Sequence, residues 1–454
     1  NVAVGKNAGL LVTTGVQNTL IGGLAGDALT DADFNIAIGT YALTSDTLGS
    51  RSVAIGRSAL GAQNFTSATN TYNVAVGHEA GQSVTTGTIN TLIGGLAGDA
   101  LTTGNSNVAV GYSALSADTK GDRSTAIGLQ ALALQNFTTN TDAYNTAVGY
   151  NAGYSVTTGL TNTLIGGLTG DALTDADYNT AVGFEALTSD TLGNRSVALG
   201  YFALRNQNFT SATDSYNTAL GFAAGEAVTT GVQNTLIGGL AGDALTTGHS
   251  NTALGYNSLS DSTTAVANTA LGHSAGADLT TGDRNVLVGN IAGASLTTAD
   301  DATLIGYGAG GGAILTGHDN VGVGTNALNL NTSGASNTAV GRGALEANTT
   351  ASNNTAVGYK SLLANTTGAQ NVAIGAGASD ANTTGSFNTS LGDGALGSDT
   401  TGGRSVALGY RALETQNFTD ATASYNVAIG FSAGNAVTTG IYNTLVGGLA
   451  GDAL

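Results

Sequence analysis

One short pattern returns along this chain at a spacing that few folds can accommodate. It opens on Asn, alternates through three residues and closes on Gly: Asn1-Val2-Ala3-Val4-Gly5, then Asn18-Thr19-Leu20-Ile21-Gly22, then Asn35-Ile36-Ala37-Ile38-Gly39. The closing Gly is found 26 times in 454 residues, from Gly5, Gly22, Gly39, Gly56 and Gly77 to Gly447. Successive copies lie 17 residues apart, except for four steps of 21 and one of 18 that ends at Gly324. In the first half, three short steps and one long step make a unit of 72 residues, so Asn1, Asn73, Asn145 and Asn217 begin equivalent units. From Gly221 to Gly409 the short period holds apart from the 18-residue step, and a fourth long step then reaches Gly430.

The alternation is that of a β-strand. A helical repeat is disfavoured, because 70 residues are Gly and β-branched residues recur. At about 3.3 Å per residue, 17 residues suffice for two short strands and two turns, one rung of a coil whose rungs stack roughly 4.8 Å apart. The expected fold is all-β, a parallel β-solenoid running through residues 1–454 as a single continuous array. The chain has no Met, even at position 1, and it starts and stops inside the pattern. It is therefore expected to be a fragment of a longer repetitive protein.

Each column of the repeat carries its own expectation. A position held by Gly in every rung, as at Gly77, Gly149 and Gly221, needs positive φ or close backbone approach. The Val, Ile or Leu before it is expected to stack inside the roll. The Ala before that is then expected on the outer face, as a flat stripe suited to packing one roll against another. The opening residue is Asn except at Ser52, Ser124, Ser196, Ser405 and Ala302. Stacked Asn side chains are expected to form an amide ladder along the axis. Each Ser follows an Arg (Arg51, Arg123, Arg195, Arg404) and opens a 21-residue rung.

Composition excludes several functions. Net charge is −18 with 12 Lys and Arg, which argues against binding phosphates of nucleic acids or anionic membranes. Cys is absent, so there is no disulfide framework and no thiolate metal site. No apolar run approaches the 18 residues of a membrane-spanning helix. Convergent sets of acid, base and nucleophile are missing, so no enzymatic activity and no cofactor is expected.

Candidate contacts lie in the turns. His78, His249, His273 and His318 are scattered beside the strand pattern and are read as surface residues. Asp27, Asp99, Asp171, Asp243 and Asp452 recur in the phrase G-D-A-L, too sparsely for the six to eight oxygens of a calcium site. The run Ile93-Gly94-Gly95-Leu96-Ala97-Gly98 imitates a nucleotide loop without its βαβ context. The long rungs carry Q-N-F-T, placing Phe65, Phe137, Phe209 and Phe418 on expected outward bulges. Those rings either fold back over a neighbouring rung or contact a ligand. Asn64, Asn136, Asn208 and Asn417 stand in glycosylation sequons, as do Asn348, Asn365 and Asn382. Aromatic residues follow the closing Gly at Tyr112, Tyr150, Tyr256, Tyr359 and Tyr410, and precede the opening Asn at Tyr72 and Tyr144. Such columns seal a seam between chains or stack on sugars. The paired Thr residues of the T-T-G turn suggest an ice-binding array as a further possibility.

The pattern S/N-x-A-[V/I/L]-G-x-x-A, as in Asn217-Thr218-Ala219-Leu220-Gly221, resembles the head repeats of trimeric autotransporter adhesins. It is also similar to repeats of phage tail-fibre-like proteins. The resemblance covers the whole chain, although the adhesin repeat is usually a few residues shorter. It implies left-handed parallel β-rolls, three chains packed side by side, and an extracellular, cell-surface or virion-surface fibre. The implied partners are the chain itself and a cell-surface glycan or protein. The implied function is attachment, by an adhesin head or shaft or by a viral tail fibre. A monomeric ice- or polysaccharide-binding solenoid is the remaining alternative.

Overall fold

The computed structural model describes residues 1–453. They form two compact units, Asn1–Thr230 and Gly231–Leu454. Each unit is a parallel β-solenoid with rungs of about 17 residues, and no helix occurs among the described residues. Every copy of the pattern supplies one three-residue strand, 26 in all. In the first unit Val2–Val4 pairs in parallel with Thr19–Ile21, which sets Ala3 beside Leu20 and Val4 beside Ile21. In the second, Thr252–Leu254 pairs with Thr269–Leu271 in the same register. A long rung does not shift that register: across the step from Gly56 to Gly77, Ala54 still lies beside Ala75.

The second strand expected in each rung does not form in most of them. The chain bends through left-handed residues instead. After Gly39, both Tyr41 and Leu43 have φ near +60°, as does Phe34 just before the opening Asn. Rungs remain bonded through this stretch, with Tyr41 N–H donating to Gly23 O at 3.1 Å and Leu43 N–H to Ala59 O at 3.0 Å. Short second strands occur beside long rungs, as where Gly49–Ser50 pairs with Thr69–Asn70.

The strand faces are the reverse of the sequence expectation. The middle residue points inward: Ala37, Ala54, Ala126 and Ala253 are fully buried. The aliphatic residue before the closing Gly points outward, with Leu254 at 41% and Leu391 at 48% exposure. The reason is volume. The interior of a rung is narrow, and other columns already fill it with Leu and Val. Where the inner strand residue is Leu, Gly appears opposite. The methyls of Leu20 sit 2.7 and 2.8 Å from where Cβ atoms on Gly9 and Gly26 would stand. Leu92 relates in the same way to Gly81 and Gly98, and Leu287 to Gly276 and Gly293. A larger side chain at both positions would overpack the rung, which interiors of crystal-like density do not absorb.

The closing Gly meets both reasons expected of it. All 26 have φ between +130° and +148°. A Cβ on Gly5 would lie 2.5 Å from Gly22 O, and one on Gly22 would lie 2.6 Å from Gly39 O. No other residue fits a backbone this close to its neighbour.

Candidate functional site

The Asn column is a backbone clamp as much as an amide ladder. Asn18 Nδ2 donates to Ala32 O at 2.7 Å, while Asn18 Oδ1 accepts from Asn35 N–H at 2.9 Å. Each amide thus ties its own rung shut and caps the next strand. Direct side-chain links join it in places, as from Asn285 Nδ2 to Asn268 Oδ1 at 3.0 Å. Asn348, Asn365 and Asn382 form a second buried ladder, with Asn365 Nδ2 donating to Asn348 Oδ1 at 3.0 Å and Asn382 Nδ2 to Asn365 Oδ1 at 3.1 Å. These three Asn are therefore closed to glycosylation in the folded chain. Asn64, Asn136, Asn208 and Asn417 remain exposed.

The long rungs hold buried polar cassettes that sequence reasoning missed. Asp46 is fully buried. Its Oδ1 accepts from the N–H groups of Gly49 and Phe65, both at 3.0 Å, and its Oδ2 from Gln63 Nε2 at 2.6 Å. Gln63 Nε2 also donates to Ser52 Oγ at 2.9 Å, and Gln63 Oε1 accepts from Asn73 Nδ2 at 2.9 Å. Asp118 with Gln135, Asp190 with Gln207 and Asp399 with Gln416 repeat the carboxylate–amide bond at 2.6–2.7 Å. Burial pushes the Asp118 carboxyl above the usual carboxylate range, against the pull of Gln135 and three backbone N–H groups. A signal was present in the sequence: an Asp stands 17 residues before each Gln of Q-N-F-T.

The same cassettes decide between the two readings of the Q-N-F-T rings: folding back holds, and their placement on outward bulges as surface contacts is corrected. Phe65, Phe137, Phe209 and Phe418 are 5–7% exposed. A Cβ on Gly121 would touch the Phe137 ring at 2.9 Å, and one on Gly193 the Phe209 ring at 2.8 Å. The rings are folded back over the preceding rung, where no ligand reaches them. The projecting part of the bulge is the stretch after the ring, as at Thr66, Ser67 and Ala68.

The other aromatic columns lie at the surface. Tyr112, Tyr150, Tyr256, Tyr359 and Tyr410 are 41–56% exposed. Neighbouring rungs stack their rings, as between Phe184 and Tyr201 at 5.6 Å and between Tyr201 and Phe222 at 5.5 Å. In the column before the opening Asn, Arg51 lies between the rings of Phe34 and Tyr72, 5.1 and 5.8 Å from their centres. Arg195 and Arg404 are held the same way, so three of the Arg residues that precede Ser are cations sandwiched between rings.

The four His residues are exposed. His273 stacks on Tyr256, and His318 Nδ1 accepts from Asp300 N–H at 3.0 Å. Among the described residues, no group of three His, Asp or Glu is placed to hold a metal ion. No described helix is long and apolar enough to cross a membrane. Two of the G-D-A-L acids bond across rungs, Asp27 Oδ1 accepting from Thr44 Oγ1 at 2.5 Å and Asp171 Oδ1 from Thr188 Oγ1. The first Thr of the T-T-G turn is also engaged, Thr85 Oγ1 donating to Thr102 O at 3.1 Å and Thr102 Oγ1 to Thr119 O at 2.9 Å.

Fold and surface together define a parallel β-solenoid repeat protein with an aliphatic column and aromatic columns on its outside. No family model matches the chain, and no curated protein matches it.

Proposed function

We propose that this chain is a structural and adhesive segment of an extracellular fibre, a β-solenoid head or shaft that packs side by side in a homotrimer and mediates attachment to cells or surfaces. The observation that carries the reading is the outward aliphatic column. Ile127, Ile165 and Leu220 in the first unit, and Leu254, Leu271 and Leu391 in the second, are 37–48% exposed on the outer face of their strands. Contiguous apolar stripes on a soluble surface mark interaction sites. A partner built on the same rung spacing can meet such a stripe rung for rung, and a second copy of this chain has that spacing. This column takes the role that the Ala stripe was expected to play. Light scattering on the purified chain should report three copies, and Leu254→Glu with Leu271→Glu should lower that number. A monomeric unsubstituted chain would sink the reading.

A second reading rests on the neighbouring column. Thr252 and Thr269, at the first strand position, are exposed on the same face as Leu254 and Leu271. A flat array of hydroxyls and methyls is what a monomeric ice- or polysaccharide-binding solenoid presents. Thermal hysteresis from a monomeric preparation would favour it over the fibre.

A further inference from the structure

We propose that the second unit carries a saccharide-binding subsite, a trough crossing the rungs closed by Gly358, Gly375, Gly392 and Gly409. The inference rests on the attachment reading and names the chemistry it would use. The trough is open to solvent along its length and has a volume of about 340 Å³, at the low end of small-molecule sites.

The trough exists because side chains are missing from two consecutive rungs. Two residues after the closing Gly, successive rungs carry Lys360, Gly377, Gly394 and Arg411. Five residues after it they carry Leu363, Asp380, Gly397 and Glu414. The middle rungs are therefore low at Gly377, Gly394 and Gly397, with Asp380 standing among them, and the outer rungs are high. Three steps of about 4.8 Å set the outer backbones about 14 Å apart. Arg411 and Glu414 lean over Gly394 from one end, Arg411 Cγ lying 3.5 Å from where a Gly394 Cβ would stand, which leaves room for one pyranose ring.

The floor presents acceptors. The point where a Gly397 Cβ would stand lies 3.2 Å from Gly394 O, 3.6 Å from Asp380 Oδ1 and 3.7 Å from Gly377 O. Asp393 adds a second carboxylate to the lining, and ionised carboxylates only accept hydrogen bonds. The cations at the ends are already engaged: Arg411 Nε lies 3.4 Å from Glu414 Oε1, and Lys360 Nζ sits 5.3 Å from the centre of the Tyr359 ring. An anionic ligand would meet Asp380, Asp393 and Glu414, so sulfated or phosphorylated groups are disfavoured. A metal ion lacks its set of ligands here. What fits is a neutral ring that donates from its rim and packs C–H groups beside Tyr359, half-exposed at the trough end. A hexopyranose has both.

The test uses Ala376, which is exposed in the trough. Its column holds Tyr or Phe in other rungs, and such rings stack 5.6 Å apart on adjacent rungs. Ala376→Tyr should therefore keep the fold, checked by circular dichroism, while its ring fills the trough. The probes are the methyl glycosides of glucose, galactose, mannose, N-acetylglucosamine and N-acetylgalactosamine, read by saturation-transfer NMR and titration. At least one should bind the native chain, and Ala376→Tyr and Asp393→Asn should each weaken it about tenfold or more. Silence from every glycoside, or equal binding by native chain and Ala376→Tyr, would overturn the proposal. A chain that attaches to cells without a glycoside signal would sink the trough and leave attachment standing. A glycoside signal from a chain that attaches to nothing would do the reverse.

Discussion

Gln63 donates its Nε2–H to the Asp46 carboxylate at 2.6 Å, and both side chains are fully buried. The bond explains why Ser replaces Asn at the opening of a long rung. An Asn at position 52 would compete for the space that the Gln63 amide occupies, whereas Ser52 Oγ is small and accepts from the same Nε2. Gln63 Oε1 then receives Asn73 Nδ2, so the Asn column resumes one rung later. The Asp orients the Gln, because an acceptor-only carboxylate forces Nε2 toward it and leaves Oε1 for the Asn.

Removing the amide should therefore be costly. Gln63→Leu leaves a buried carboxylate without its side-chain donor and should destabilise the surrounding rungs by about 2–4 kcal/mol. Amide exchange at Gly49 and Phe65, whose N–H groups bond to Asp46, reports it locally. Adding Asp46→Leu should recover part of the loss in a double-mutant cycle. A Gln63→Leu effect below about 1 kcal/mol would show that the carboxylate is satisfied without the amide.

Two adjacent glycines should respond oppositely to one methyl group. Gly22→Ala sets a Cβ 2.6 Å from Gly39 O at φ +134°, and should cost upward of about 2 kcal/mol. At Gly23 the nearest atom is Thr40 Cγ2 at 4.0 Å, and Ala there should be neutral or stabilising by up to about 1 kcal/mol. Thermal melts of the two variants check this; equal losses would refute the stacking argument.

Ser116→Thr should stabilise the chain. Asp99 Oδ1 is buried with no partner, whereas Asp27 receives the Thr44 hydroxyl at the equivalent place. Ser116 occupies that place next to Asp99 but donates to Ala133 O instead. A Thr held as Thr44 is should supply the missing donor, worth about 1 kcal/mol. Burial holds the Asp99 carboxyl above its ordinary range, and the new donor should bring it down in an NMR titration. An unchanged titration would mean that the hydroxyl does not turn.

Acidification should stabilise the solenoid. Burial raises the carboxyls of Asp99, Asp118, Asp171, Asp177, Asp278 and Asp380. Each raised group contributes stability that is full below the unfolded carboxyl pKa of about 3.9 and is lost as pH rises through the folded value. Asp214 and Asp301, lowered by Arg195 and Arg284, act in the opposite sense but are exposed and solvent-screened. Melting temperature should therefore climb as pH falls from 7 toward about 4–5, helped by relief of the −18 net charge. Scanning calorimetry that found the opposite slope would refute the balance.

Much of this was legible in the sequence. The spacing from Asn1 to Gly5 and on to Gly22 implied a stacked rung, and a Gly in every copy implied a backbone too close for a Cβ. The buried cassettes were harder to read, because Asp46 and Gln63 are 17 residues apart and meet only through stacking. The trough was less legible still: Gly377, Gly394 and Gly397 look like ordinary turn glycines until their rungs lie side by side.

The sequence by itself determined the rung, its length and its register, since these follow from the spacing of Asn, aliphatic and Gly along one strand. Only the tertiary structure decided which face of that strand is inside. A three-residue alternation such as Thr-Ala-Val reads equally well from either face, and a strand turned over would swap every side chain. The choice depends on the volume left by neighbouring rungs, as where Leu20 occupies the space over Gly9 and Gly26. That volume exists only once the rungs are stacked.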